Sequence, residues 1–268
     1  MSNVRVVVNN LADTAVLESA PAVGSLVVSN LQSDAKGTVF RTAGTSTSFE
    51  AGWGDDQAIS LVAIPACNLT NTASVTITLT NSLGVQVYSE TLDACPGSLN
   101  GGDAITVNDF AYGQASKVVI WLQRFTGIRS VLVEIEDLAN TSGFIDLSRL
   151  VIGDYWSPQF GTGYTAEYTL EDLSQNKRTE AGDLLSTRQP IIERITFNLN
   201  ALGPTDRQDL LRIAGKAGVY KNILVAILPE DQDAGIRHSS VVYGKRQNSS
   251  IRFEAYQMYG SQFTVESW

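Results

Sequence analysis

The chain contains almost no histidine and little cysteine: His238 is its one histidine, and Cys67 and Cys95 are its two cysteines. These residues are too few to complete a four-ligand zinc site or a network of disulfides. The sequence also lacks a Gly-x-Ser-x-Gly elbow, a Walker A loop and a dinucleotide-binding glycine motif. We therefore expect no enzymatic activity, no cofactor and no metal. The two cysteines are expected to be free thiols, with one bridge between neighbouring strands as the alternative.

Positive charge is also scarce, and no long apolar run occurs. The 268 residues include 19 Lys and Arg against 28 Asp and Glu, which gives a net charge of −9. Without a basic run the surface offers little to a phosphate backbone, and its acidity disfavours anionic membranes. The apolar stretches are too short to span a bilayer, and the first residues do not resemble a signal peptide. We expect no nucleic-acid partner and no membrane insertion.

Alternating polar and apolar residues are abundant in the first region, residues 1–153. Ser74–Thr80 alternates strictly, which predicts a strand with one buried face. The turn residues Asn81–Gly84 and the renewed alternation of Val85–Tyr88 predict a hairpin. Further strands are predicted at intervals of about ten residues with Gly, Asn and Asp between them, which is typical of a β-sandwich.

A second region, residues 154–268, begins within an aromatic linker at 153–163. The elements predicted there are strands at Ile191–Leu199 and Ile223–Leu228, a long loop at Glu171–Arg188 and one helix near 205–215. Thr205 is the predicted N-cap of the helix, and glycines end it. The expected fold class is mainly all-β: a β-sandwich followed by a β domain with one α-helix.

A glycine-rich segment holds the candidate ligand site of the first region. Trp53 can stack on a sugar ring there, and Asp55 and Asp56 can accept hydrogen bonds from sugar hydroxyls. The alternative is that Trp53 closes the end of the sandwich core. The same two acids are the candidate carboxylates of a glycoside hydrolase, although adjacent acids in a turn rarely face each other across a cleft.

Four parts of the first region resemble, in their order and spacing, the galactose-binding-like jelly rolls of the discoidin type. They are Val28–Leu31 with Phe40–Thr42, Ile59–Leu69, Val75–Leu79 and Ile145–Gly153. In phage relatives the last part runs into an aromatic and proline segment similar to Tyr155–Pro158. The resemblance implies a jelly-roll β-sandwich at 1–153 that projects outward and binds another tail protein or a host glycan.

The second region resembles the tube-forming β domain of phage distal tail and related tail-tip proteins. The resemblance rests on the order of Ile191–Leu199, the helix near Thr205–Gly215, Ile223–Leu228 and Val242–Gly244. It implies a ring of copies, a homo-hexamer or homo-trimer, that continues the tail tube. Loops like Glu171–Arg188 reach neighbouring copies in such domains.

The expected function is therefore that of a structural virion protein at the phage tail tip, synthesised in the host bacterial cytoplasm. Its expected partners are further copies of itself and the tube, hub and tape-measure proteins, with a host surface glycan as a further candidate. The residues expected at the interface are Tyr155, Trp156, Phe160, Arg178 and Arg188. The first alternative is a carbohydrate-binding module, and the second is a glycoside hydrolase.

Overall fold

The computed structural model describes residues 3–19, 21–96, 115–159, 166–247 and 250–268. Its antiparallel strands form an eight-stranded sheet, a seven-stranded sheet and a separate two-stranded ribbon. The prediction of a mainly all-β fold is confirmed. Neither α-helix in these ranges is long and apolar enough to cross a membrane.

The eight-stranded sheet is built around two long antiparallel partners, β4 (Ser46–Cys67) and β7 (Ser116–Glu136). The other strands are β2 (Val16–Ser19), β3 (Phe40–Arg41), β5 (Ser74–Asn81), β6 (Gln86–Asp93), β8 (Asp146–Leu147) and β9 (Val151–Gly153). The strand order is β3, β8, β4, β7, β5, β6, with β2 and β9 also on β4. The core of this sheet includes Phe40 and Phe49, which meet edge to face.

The predicted hairpin in the first region is confirmed as β5 and β6. Val75, Ile77 and Leu79 are buried, as their alternation requires. The Asn81 side chain accepts hydrogen bonds from the backbone N–H groups of two turn residues, and Gly84 adopts a φ of +74°. A polar loop of the predicted kind therefore fixes the register of this pair.

The two cysteines lie in the core of the eight-stranded sheet. Cys67 and Cys95 are free thiols with their Sγ atoms 3.9 Å apart, well beyond a disulfide bond. The expectation of free thiols is confirmed. The pKa of Cys95 is raised, first because it hydrogen-bonds with Cys67 and also because it is buried.

The seven-stranded sheet holds most of the second region. Its strands are β1 (Arg5–Val7), β10 (Ala166–Asp172), β13 (Ile191–Leu202), β14 (Asn222–Ala226), β15 (Val241–Arg246), β16 (Ile251–Ala255) and β17 (Met258–Ser267). The order is β1, β14, β15, β17, β13, β10, and β16 also pairs with β17. Phe197 and Phe263 stack in its core.

The N-terminal strand departs from the predicted division at residue 153. β1 pairs with β14, with Val6 opposite Val225, so Arg5–Val7 belong to the seven-stranded sheet and not to the first region. The physical reason is that Val4 and Val6 bury their side chains in the core around Phe197. The other strands of the two sheets come from 16–153 and 166–267.

Two helices and a ribbon complete the fold. The predicted helix is present as α1 (Pro204–Ala217), but Gly203 and not Thr205 is its N-cap, with Pro204 in the first turn. A second, shorter helix that was not predicted, α2 (Ala234–Ser239), is capped by the Asp233 carboxylate. The loop predicted at Glu171–Arg188 was wrong, because it contains strands β11 (Gln175–Arg178) and β12 (Leu184–Thr187).

The two sheets pack against each other along an apolar seam. The buried residues of the seam are Val7, Leu61, Ala63, Val151, Leu224, Ala226, Val241 and Tyr243. Polar contacts cross it as well: the buried Arg149 donates a hydrogen bond to the Tyr243 hydroxyl, which donates in turn to Asp34 at 2.8 Å. Lys117 of β7 donates to the Val241 carbonyl at 2.9 Å. The seam therefore holds the second sheet on the first by both apolar and polar contacts.

Candidate functional site

Trp53, Asp55 and Asp56 lie on β4 where its register with β7 shifts, but they have different surroundings. The Trp53 ring packs against the core, and its Nε1 donates to the Leu11 carbonyl 2.9 Å away. Asp55 and Asp56 are exposed, and Asp56 forms an ion pair with Arg129. This packing matches the alternative in which Trp53 closes the end of the core, and ligand binding by these residues stays a prediction.

The linker aromatics Tyr155 and Trp156 contact both sheets of their own chain. The Arg5 guanidinium lies 5.0 Å from the Trp121 ring centroid and 4.6 Å from that of Tyr155. Trp156 packs on the core of the seven-stranded sheet. Both rings keep a partly exposed surface, so a role at an interface stays a prediction. Phe160, the third predicted interface aromatic, lies outside the described residues.

Strands β11 and β12 form a projecting ribbon, which we call the finger (residues 175–187). All the strand residues of the finger are exposed. Leu184 and Leu185 are consecutive in β12, so they point to opposite faces of the ribbon. A two-stranded ribbon with no core of its own is marginally stable in water. Leucines exposed on both faces therefore favour a partner that covers the finger.

The predicted interface arginines lie on the finger or directly after it. Arg178 donates to the Gly182 carbonyl at 2.8 Å, within the finger. Arg188 is exposed and close to Asp172. The pKa of Asp172 is lowered, mainly because Ser174 donates hydrogen bonds to its carboxylate and also because Arg188 is near. The structure thus places both arginines at the exposed finger, Arg178 within it and Arg188 directly after it.

The turn between β16 and β17 presents apolar residues that the sequence analysis missed. We call Phe253, Tyr256 and Met258 the tip. Phe253 is 73% exposed and Tyr256 is 89% exposed. Gln257 adopts a φ of +58°, which closes a tight turn beside them. Alternation in β16 predicts that one face carries Phe253, but it does not say whether that face is covered.

Two strands of the seven-stranded sheet have an open side. β10 pairs with β13 and β16 pairs with β17, and neither strand has a second neighbour within the described ranges. The outer backbone N–H and C=O groups of such edge strands can pair with a strand of another molecule. The finger follows β10 and the tip ends β16, so the open edges and the exposed apolar residues occur together.

The candidate catalytic carboxylates, Asp55 and Asp56, and the one histidine, His238, are not gathered into a reacting centre in the part of the chain that the structure describes. His238 lies in α2, and its pKa is lowered, first by burial and then by the nearby charges of Arg237 and Lys117. The described residues contain no group of three or more His, Cys, Asp or Glu that could hold a metal ion. The finger, the tip and the open edges of β10 and β16 offer apolar contact area and unpaired backbone groups.

No family model matches the chain, and no curated protein matches it either. Solved carbohydrate-binding modules are similar to part of it. A Streptococcus pneumoniae fucose binding module, SpX-3, is 14% identical with a TM-score of 0.39, over 55% of this chain and 99% of that one. The lectin domain of lectinolysin complexed with Lewis B antigen is 14% identical with a TM-score of 0.38, over 54% and 95%. Chitosan-binding module 1 of a Paenibacillus sp. IK-5 chitosanase/glucanase is 15% identical with a TM-score of 0.40, over 55% and 99%. Likeness at this level carries no argument about what this chain binds.

Proposed function

We propose that this chain is a structural subunit of a phage tail tip and forms a ring with copies of itself through the seven-stranded sheet. One observation carries the proposal: open strand edges occur beside exposed apolar residues, at β10 with the finger and at β16 with the tip. Association buries such apolar side chains favourably, and an open edge accepts a neighbouring strand.

The two open edges favour a head-to-tail contact between copies. β10 lies at one end of the strand order, and β16 lies on the far side of β17 from β13. If β10 of one copy meets β16 of the next, every copy uses both of its open edges. A head-to-tail contact of this kind closes into a ring when the rotation per copy divides a full turn. A hexamer or a trimer satisfies that condition.

The phage setting is supported by the resemblance of the second region to distal tail proteins. In that setting the ring is part of the virion, and the tube, hub and tape-measure proteins are its neighbours along the axis. The eight-stranded sheet is held outside the ring by the seam. These placements are part of the proposal.

The proposal is tested by the mass of the purified full chain in solution, measured by light scattering after size-exclusion chromatography. We expect a discrete hexamer or trimer. The double substitution Phe253→Ser and Tyr256→Ser at the tip is expected to lower the mass towards that of the monomer, because it removes apolar area that the contact buries. Leu170→Lys, on the open edge of β10, is expected to act in the same direction.

The matched control is Leu83→Ser in the turn between β5 and β6. Leu83 is 83% exposed, as apolar as the tip residues, and lies on the other sheet. The control is expected to leave the mass unchanged. A wild-type monomer at every concentration, or a ring that the tip and β10 variants leave intact, would contradict the proposed contact.

The two alternatives from the sequence stay predictions. A carbohydrate-binding module would bind a glycan through Trp53, and a glycoside hydrolase would use Asp55 and Asp56. The indole N–H of Trp53 and the Asp56 carboxylate are already bonded within the chain. A glycan array and a polysaccharide digest, each compared between wild type and Trp53→Ala or Asp56→Asn, test these alternatives directly.

A further inference from the structure

Two buried thiols face each other in the core of the eight-stranded sheet. Cys67 and Cys95 are both fully buried, although they are 28 positions apart in the chain. Their Sγ atoms are 3.9 Å apart, and a disulfide would bring them about 1.9 Å closer. We call these two residues the thiol pair. Neither the apolar seam nor the proposed contact between copies uses it.

The backbone at each member of the thiol pair is held by a different part of the sheet. Cys67 is the last residue of β4 and pairs with Ser116 of β7. Cys95 follows β6, and the N–H group of the preceding Ala94 donates to the Ala73 carbonyl at 2.8 Å. These bonds bring the two sulfurs into contact without a covalent link. A change of rotamer moves a sulfur by about 3 Å, so the remaining gap lies within reach of the side chains.

An oxidant can reach the thiol pair from the edge of the sheet. β6 pairs with β5 alone in the described ranges, and its residues are exposed or half-buried. Edge strands with few buried contacts open more readily than central strands. Cys95 lies two residues after the end of β6, so we expect opening of this edge to expose its thiol. The raised pKa of Cys95 keeps that thiol protonated while the sheet is closed, and protonated thiols react slowly.

We propose that the thiol pair is a site of reversible oxidation, at which a disulfide between Cys67 and Cys95 links the end of β4 to the segment after β6. The oxidant is a small disulfide such as oxidised glutathione. The Cys95 thiolate attacks one sulfur of the oxidant, which releases one thiol and leaves a mixed disulfide on Cys95. The Cys67 thiolate then attacks the Cys95 sulfur, and the second thiol leaves. Two protein thiols are oxidised, one small disulfide is reduced, and the two cysteine protons end on the released thiols.

The compartment decides which form of the thiol pair is present. A reducing cytoplasm keeps such a pair as thiols, and an oxidising medium closes it. A subunit of a released virion passes from the first to the second, so the bridge would form after assembly. This timing rests on the proposed function. The chemistry of the thiol pair does not depend on it.

The test is equilibration of the full chain in glutathione redox buffers, started separately from reduced and from oxidised protein, in native buffer and in denaturing urea. After an acid quench, intact mass and peptide mapping give the fraction with a Cys67–Cys95 bridge, which lacks the mass of two hydrogen atoms. We expect the equilibrium constant for bridge formation to be larger in native buffer by about tenfold or more, because the fold holds the two sulfurs together.

The bridge is also expected to raise the melting temperature by about 5–10 °C, since it restricts the unfolded chain between two distant positions. Cys67→Ala and Cys95→Ala are the matched controls. Each variant keeps one thiol, so its melting temperature is expected to be the same in reducing and oxidising buffer.

An equal or smaller bridged fraction in native buffer would overturn the proposal. So would a lasting mixed disulfide with glutathione, or bridges between chains instead of within one. A chain that forms the bridge as a monomer would contradict the proposed ring and support the assignment of the thiol pair.

Discussion

The two sheets of this molecule follow the same rule of alternation, but they leave different residues in water. In the eight-stranded sheet the large exposed apolar residues are aliphatic, such as Val16 and Leu83. The four exposed aromatic residues found in the described ranges, Tyr168, Tyr220, Phe253 and Tyr256, all belong to the second region. Aromatic residues are enriched in protein interfaces and binding sites. The comparison therefore supports the proposal that the second sheet makes the contacts between copies.

The cores of the two sheets do not differ in this way. Phe40 and Phe49 meet edge to face in the first core, and Phe197 and Phe263 stack in the second. Each sheet is therefore a well-packed unit, and the exposed aromatics of the second are not a sign of poor packing. Tyr168, Phe253 and Tyr256 lie on its outer strands and turns, beside the open edges, and Tyr220 lies between α1 and β14.

The largest expected effect separates a core phenylalanine from a tip phenylalanine within the second sheet. Phe197→Ala removes a fully buried ring and is expected to lower the free energy of unfolding by about 3–5 kcal/mol. Phe253→Ala is expected to change it by about 0.5 kcal/mol or less, because that ring is mostly in water. Urea unfolding at low protein concentration measures both. Equal losses would show that Phe253 serves the core and would remove it from the proposed contact.

The elements that could be predicted from the sequence are those whose pattern is set locally. β5 and β6 follow from strict alternation and a polar turn. The helix α1 follows from its apolar residues and from Gly218, which caps its C-terminus, whereas Gly215, also expected to end it, lies within it. The finger was missed because all its strand residues are exposed and show no period. The short helix α2 was missed because six residues are too few to establish a stripe.

Other features depend on contacts between distant parts of the chain. The valines of β1 predict a strand, but only the pairing with β14 assigns it to the second sheet. The Trp53 ring could stack on a sugar or close the core, and the choice depends on Leu11, more than forty residues away in the chain.

An intermediate effect is expected at Trp53, the candidate ligand-binding residue of the first sheet. Trp53→Ala is expected to lower the free energy of unfolding by about 1–3 kcal/mol, because it removes a partly buried ring and the hydrogen bond to Leu11. Asp55→Asn, at an exposed neighbour, is expected to be nearly neutral. Chemical unfolding of both variants measures this difference. A stable Trp53→Ala variant that has lost binding to a glycan would place a ligand-binding site on the first sheet.

The smallest expected effect concerns pH and the seam. Helix α2 contacts β7 of the first sheet, and His238 on that helix has a pKa lowered by burial and by the charges of Arg237 and Lys117. A lowered folded pKa favours the neutral imidazole in the folded state. This contribution to stability is present above the ordinary pKa of about 6.5 and is lost as the pH falls through that value towards the folded pKa.

We therefore expect the wild type to lose stability between about pH 7 and pH 5 more steeply than His238→Gln, which carries no titrating group there. Urea midpoints at several pH values in that range measure the two slopes, and the carboxylates that both proteins share cancel in the comparison. Lys117→Gln in the wild-type background should make the slope shallower, because it removes a positive charge of the first sheet from the vicinity of the imidazole. Identical slopes in all three proteins would mean that protonation of His238 does not change the stability of the protein. The seam would then be independent of pH in this range.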